Sequence, residues 1–154
     1  IIYDQAKDNV HSKDFEEKMS FVAKENGIFG VLATLELINK SLKNNEYNYA
    51  YEEYINLLKN HKSKSVYNSI VALHGAYNLI DYVSSESISN ILSFVDESSI
   101  YFIGYKEEVE YLLSIKNYDI DRREELYNKI INNKNIPEKI KERVKKINEF
   151  EKFK

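Results

Sequence analysis

Scarcity of chain-breaking residues constrains this sequence most: in 154 residues there are 4 glycines and 1 proline. A sheet-rich fold needs turn punctuation every ~8–12 residues, and this chain has almost none to offer. The expected fold class is therefore all-α. Apolar spacing agrees. Ile28, Val31, Leu32, Leu35, Ile38 and Leu42 recur at three-four intervals over 28–43, which places them on one helical face. Asn44-Asn45 interrupts the run, and Tyr47, Ala50, Tyr51, Tyr54 and Leu58 resume it to about residue 60. Two amphipathic helices joined by so short a break form an αα-hairpin.

The same plan recurs. Residues 66–83 carry two apolar stripes, Val66, Ile70, Leu73, Tyr77 and Ile80 on one and Ala72, Ala76, Leu79 and Val83 on the other, as expected of a helix held between neighbours. A shorter helix at about 86–96 follows, with Ser84 or Ser85 as N-cap. Residues 100–115 and 120–131 form the next pair. The last helix opens at Asn135-Ile136-Pro137-Glu138, where proline suits a first turn and Asn135 with Glu138 has capping-box spacing. At the front, Ile2 to Val22 reads as a first hairpin, ended by Asn26-Gly27. The chain is thus expected to be one helical-repeat domain, 1–154, with hairpins at about 1–26, 28–60, 66–96 and 100–132 and a capping helix at 136–152: about nine helices in a right-handed solenoid.

Composition excludes several activities. With Cys 0 there is no thiol nucleophile, disulfide or cysteine-ligated metal. His11, His61 and His74 have no metal-ligand spacing, and neither His-Glu-x-x-His nor paired Glu-x-x-His occurs. Asp119-Ile120-Asp121 begins like a calcium loop, but Arg122-Arg123 stand where oxygen ligands would be needed. Glu107, Glu108 and Glu110 read as a solvated helix face rather than converging acid-base carboxylates. No glycine-rich phosphate loop or nucleophile elbow is present. No enzyme activity, cofactor or metal is therefore expected.

Net charge is −3, unevenly spread: residues 134–154 hold eight Lys/Arg against four Glu. Intermixed signs there argue for a solvated cap over a nucleic-acid surface. No apolar run approaches the ~20 residues of a membrane helix. Because the chain starts at Ile1 rather than Met, a processed or cut form is expected.

Leu35-Glu36-Leu37-Ile38, Tyr47-Asn48-Tyr49-Ala50, Tyr54 and Leu57-Leu58 together resemble a tetratricopeptide repeat. Leu37, Tyr47, Ala50, Tyr54 and Leu57 fall on its pattern, while Ile38 replaces the usual small residue and no proline closes the repeat. Over about 15–150, the order FGVLATLELINKSL, YNSIVALHGAYNLID, YKEEVEYLLSIKNYDIDRREELYNKII and NIPEKIKERVKKI is similar to the tetratricopeptide-like domains of the proteobacterial ancillary translocon-subunit family, above all its diverged rickettsial members of unknown function. The resemblance implies a periplasmic, chaperone-like interaction module, carried by a membrane anchor upstream of Ile1.

The expected function is non-enzymatic binding of a protein or peptide in a concave groove. Repeat alignment assigns Asn39 and Lys43 to that groove from one hairpin, and Ser69, His74 and Tyr77 from the next. Tyr49, Tyr77 and Tyr101 are candidates for exposed contact, Tyr being a favoured interface anchor. The alternative is a self-associating structural module that forms a homodimer without a ligand groove.

Overall fold

A computed structural model describes residues 15–24, 27–60 and 66–153. Among the described residues there are eight helices and no strand: α1 (Phe15–Ala23), α2 (Ile28–Lys43), α3 (Tyr47–Asn60), α4 (Val66–Leu79), α5 (Ser85–Leu92), α6 (Ile100–Lys116), α7 (Ile120–Asn132) and α8 (Glu138–Glu151). The count is eight rather than nine, and the part of the expected first hairpin before Phe15 lies outside the described residues. The chain divides into two compact units, Ile1–Asn60 and His61–Lys154.

In the first unit α1 packs on α2, and α2 on α3. Phe15, Met19 and Val22 of α1 bury against Ala33, with Leu37 at the edge. Gly27 joins α1 to α2 at φ 110, a left-handed conformation that glycine adopts without a side-chain clash. The buried face of α2 is not the expected aliphatic one. Gly30, Val31, Ala33, Thr34, Ile38 and Ser41 are buried, whereas Ile28 is 47% exposed and Leu32, Leu35 and Leu42 are half-buried. A helix with neighbours on two sides needs small residues where they approach, and its larger side chains fill the flanks. The buried hydroxyls are satisfied locally: Thr34 donates to the Gly30 carbonyl (2.9 Å) and Ser41 to that of Leu37 (3.2 Å). On α3, Ala50, Tyr54, Leu57 and Leu58 are buried, while Tyr47 and Tyr51 are half-buried.

In the second unit α6 is central, touching α4, α7 and α8. Tyr111, Leu126, Ile130, Ile136, Ile140 and Val144 form its core. At Gly104 α6 and the α8 region approach closely: a Cβ there would stand 3.3 Å from both Ile136 and Ile140 side-chain atoms. The two stripes of α4 differ in burial. Ala72, Ala76, Leu79 and Val83 are buried, but on the other stripe only Leu73 and Ile80 are, with Val66 61%, Ile70 51% and Tyr77 36% exposed. Among the described residues that stripe is therefore only partly covered, contrary to the expected sandwich. Ile120 at the start of α7 is 59% exposed.

Helix ends follow local chemistry. Ser84 caps α5, its hydroxyl accepting from the Ser87 N–H at 3.1 Å, and Asp119 caps α7 through the Arg122 N–H at 3.0 Å. The capping box expected before α8 does not form. Asn135 donates its N–H to Asn133 Oδ1 at 2.9 Å, and Pro137 becomes the N-cap without a side-chain bond. Asn135 is thereby held in a turn built on Asn133, two residues before the N-cap position.

Helices α2 and α6 end identically. Glu46 N–H donates to Ser41 O and Asp119 N–H to Ser114 O, each at 2.9 Å, while Asn45 N–H reaches Leu42 O (3.1 Å) and Tyr118 N–H reaches Ile115 O (3.0 Å). This is the Schellman arrangement, and it places Asn45 (φ 62) and Tyr118 (φ 56) in the left-handed region. The sequences match: Ser41-Leu42-Lys43-Asn44-Asn45-Glu46 and Ser114-Ile115-Lys116-Asn117-Tyr118-Asp119. Asparagine tolerates this conformation and tyrosine pays a steric cost of ~1–2 kcal/mol. Because Tyr118 is 90% exposed and makes little packing contact, Tyr118→Gly should raise unfolding stability by ~1 kcal/mol in urea titration. Asn45→Gly should gain less, since it also removes the acceptor of the Tyr47 hydroxyl (2.7 Å).

Candidate interaction surface on α4, α6 and α8

A buried carboxylate organises the second unit. Glu108 lies at mid-α6, 2% exposed, and its two oxygens accept three hydrogen bonds. Arg143 of α8 donates Nε to Oε1 (2.7 Å) and Nη2 to Oε2 (2.5 Å), and the Tyr77 hydroxyl of α4 donates to Oε2 at 2.6 Å. The planar guanidinium fork matches the carboxylate, so the charge is neutralised and hydrogen-bonded where it is buried. Burial and the Glu108 hydrogen bond push the Tyr77 hydroxyl far above its usual range, and the bond to Glu108 raises the Arg143 guanidinium further. Both groups are fixed as donors.

Neighbouring contacts lock the same helices. Lys116, at the end of α6, donates to the Ile80 (2.7 Å) and Val83 (2.6 Å) carbonyls beyond α4, supplying a cation to that helix's C-terminus. Ser85 donates to Asn117 Oδ1 at 2.6 Å. Glu107 is also 2% exposed and meets Lys129 of α7 at 3.0 Å; its Oε2 is buried with no hydrogen-bond partner among the described residues. Glu107 and Glu108 are thus not on the solvated face expected of them. Glu110 alone is half-exposed, 3.4 Å from Arg122.

Of the residues assigned to a groove, Asn39 (half-buried) and Lys43 (exposed) lie on α2 in the first unit, and Ser69, His74 and Tyr77 lie on α4 in the second. Ser69 is 0% exposed and its hydroxyl accepts from the Asp96 N–H at 3.0 Å, so it fastens the segment after α5 and offers nothing to a ligand. His74 is exposed, with its pKa lowered by desolvation. Tyr77 carries the Glu108 bond at its tip. The Tyr77 hydroxyl also approaches the Tyr105 carbonyl at 3.4 Å.

Sequence reasoning missed Glu108 and Arg143. One signal was available: Tyr101, Tyr105, Glu108 and Leu112 are spaced 4, 3 and 4 apart, so Glu108 interrupts an otherwise apolar stripe. Exposed apolar side chains lie on the same helices as the tie. Tyr101 is 75%, Tyr105 38%, Ile70 51% and Val66 61% exposed, all on the stripes that Tyr77 and Glu108 occupy.

Clefts lie elsewhere among the described residues. One of about 580 Å³ between α5, α6 and α7 is lined by Ser85, Ser89, Ser93, Lys106, Glu110 and Arg122. Its cations are paired, Lys106 with Glu97 and Arg122 with Glu125 (2.8 Å) and Glu110. Another, about 430 Å³, lies in the first unit beside Glu16, Lys40, Glu46 and Tyr49. There Lys40 bonds Glu16 at 2.8 Å and sits over the Phe15 ring; nearby acids, Glu53 foremost, raise the Tyr49 pKa. Among the described residues no three His, Asp or Glu side chains converge as metal ligands, and no helix is long and apolar enough to cross a membrane.

No protein-family model, curated protein or solved structure matches the chain.

Removing Arg143 would leave Glu108 buried with one neutral donor. Arg143→Met should therefore destabilise the protein by ~3 kcal/mol, and Tyr77→Phe by ~1–2 kcal/mol. A double-mutant cycle between them, read by urea unfolding, should show coupling of at least ~0.5 kcal/mol through the shared carboxylate. Strict additivity would contradict the shared tie.

Proposed function

We propose that this chain is a non-enzymatic protein-protein interaction module, a tetratricopeptide-like right-handed solenoid whose alternate helices line a groove for a peptide, an unfolded segment or a partner subunit. Within the second unit, α4 packs on α6 and α6 on α8, the serial stacking that a hairpin solenoid uses for its inner layer. The observation that carries the reading is the run of exposed apolar side chains on that layer: Val66, Ile70, Tyr77, Tyr101 and Tyr105, each at least 36% exposed. Large apolar side chains exposed on adjoining helices are the kind of surface that marks interaction sites, and tyrosines supply large contact area at low entropy cost. On α2, Asn39 and Lys43 would serve the first unit in the same way. The translocon-subunit resemblance adds the setting, a membrane-anchored protein presenting the module to the periplasm.

Self-association is the second reading, favoured by Phe150 (63% exposed) and Phe153 (90%) at the end of α8. Light scattering across concentration separates the two, a stable dimer supporting self-association and a monomer the groove. On an array of short peptides, the full chain should retain a subset, and Ile70→Ser with Tyr101→Ser should abolish retention while leaving the melting temperature within a few degrees. Retention unchanged by these substitutions would contradict the groove.

A further inference from the structure

The exposed tyrosines of α4 and α6 adjoin a row of cations, and we infer that the surface takes a partner segment carrying both apolar side chains and carboxylates. This inference rests on the groove reading and specifies its occupant.

Lys139, Arg143 and Lys146 stand at i, i+4 and i+7 of α8, all exposed, and at that spacing they share one helical stripe. The Glu108–Arg143 bond fixes which way the stripe faces. Arg143 reaches the carboxylate that also receives the Tyr77 hydroxyl, so the row runs along the side of the unit where Tyr77 and Tyr105 meet. Arg143 is neutralised by Glu108. Lys139 and Lys146 make no ion pair among the described residues. Glu142 (three after Lys139, four before Lys146) and Glu149 flank the lysines on the edge away from α6, but neither forms an ion pair with them among the described residues.

No exposed carboxylate of α6 competes for these lysines on this side. Glu107 and Glu108 are buried, and Glu110 is engaged by Arg122. The surface therefore offers an apolar floor bordered by two unpaired ammonium groups. Residues 134–154 also carry the chain's positive excess, eight Lys/Arg against four Glu within a net charge of −3. Charge complementarity then selects an acidic partner: apolar side chains seat on Tyr101, Tyr105 and Ile70, and carboxylates pair with Lys139 and Lys146 at the rim, where they set specificity and approach rate. A basic segment is repelled from the same border.

The test uses the full chain and an array of short synthetic peptides varied independently in aromatic or aliphatic content and in Asp/Glu or Lys/Arg content. Wild type should retain peptides that combine apolar residues with Asp/Glu. Their binding, followed by fluorescence anisotropy, should weaken on adding salt and fall at least ~10-fold in Lys139→Glu/Lys146→Glu, with the melting temperature unchanged. Retention of basic or uncharged peptides, insensitive to that reversal, would overturn the acidic partner. If those same peptides were lost in Tyr101→Ser, the groove reading would survive without it. Peptides retained equally by the tyrosine and lysine variants, or no peptide retained, would overturn both. Duplex DNA or anionic lipid vesicles bound through Lys139 and Lys146, with acidic peptides ignored, would also overturn the inference.

Discussion

A carboxylate buried at mid-helix is costly unless each of its oxygens finds a donor, and Glu108 finds them on two different helices. That requirement sets the arrangement of the second unit. Tyr77 has to present its hydroxyl from α4 and Arg143 its fork from α8, so the spacing of three helices is fixed by one side chain on the helix between them. Apolar packing supplies the bulk of the driving force through Tyr111, Ile130, Ile140 and Val144. Apolar contact alone is tolerant of small rotations; the directional bonds of the carboxylate are not. Gly104 makes the arrangement possible one turn earlier, since it admits Ile136 and Ile140 to a distance that a methyl group would crowd.

The same tie links fold to surface. Tyr77 spends its polar tip on Glu108 and leaves part of its ring in water, 36% exposed, beside Tyr105 at 38%. An aromatic ring anchored at its hydroxyl is held in one orientation, which lowers the entropy lost when a partner covers it. A rigid apolar surface on packed helices suits recognition better than the paired charges of the cleft between α5, α6 and α7.

Much of the helical plan was legible because it follows from local rules. The break at Asn44-Asn45 is a true helix end, since Asn45 takes the left-handed conformation that stops α2, and Ser84 caps α5 as its position suggested. Tyr118, in the matching place after α6, gave no such signal; only the repeated Ser-x-Lys-Asn run reveals that it does the work of Asn45. What stayed hidden depends on neighbours distant in sequence. Glu108 and Arg143 are 35 positions apart, and the apolar stripe that Glu108 interrupts marks it as unusual without showing which residues will pair with it. Likewise Ser69 and Tyr77 share one helix, yet the first is consumed by the Asp96 N–H while the second bonds Glu108 and keeps part of its ring exposed. Asn135 lost its capping role to a turn centred on Asn133, a competition of a few residues that spacing alone does not decide.

If Glu108 governs the second unit, its loss should loosen α4 and α8 together. Native-state amide hydrogen exchange on Glu108→Gln is the most direct measurement, because it reports opening helix by helix. A joint fall in protection across 66–79 and 138–151, with 28–60 unchanged, is the result the account requires. Loss of protection confined to α6, with α4 and α8 as protected as in the wild type, would contradict it.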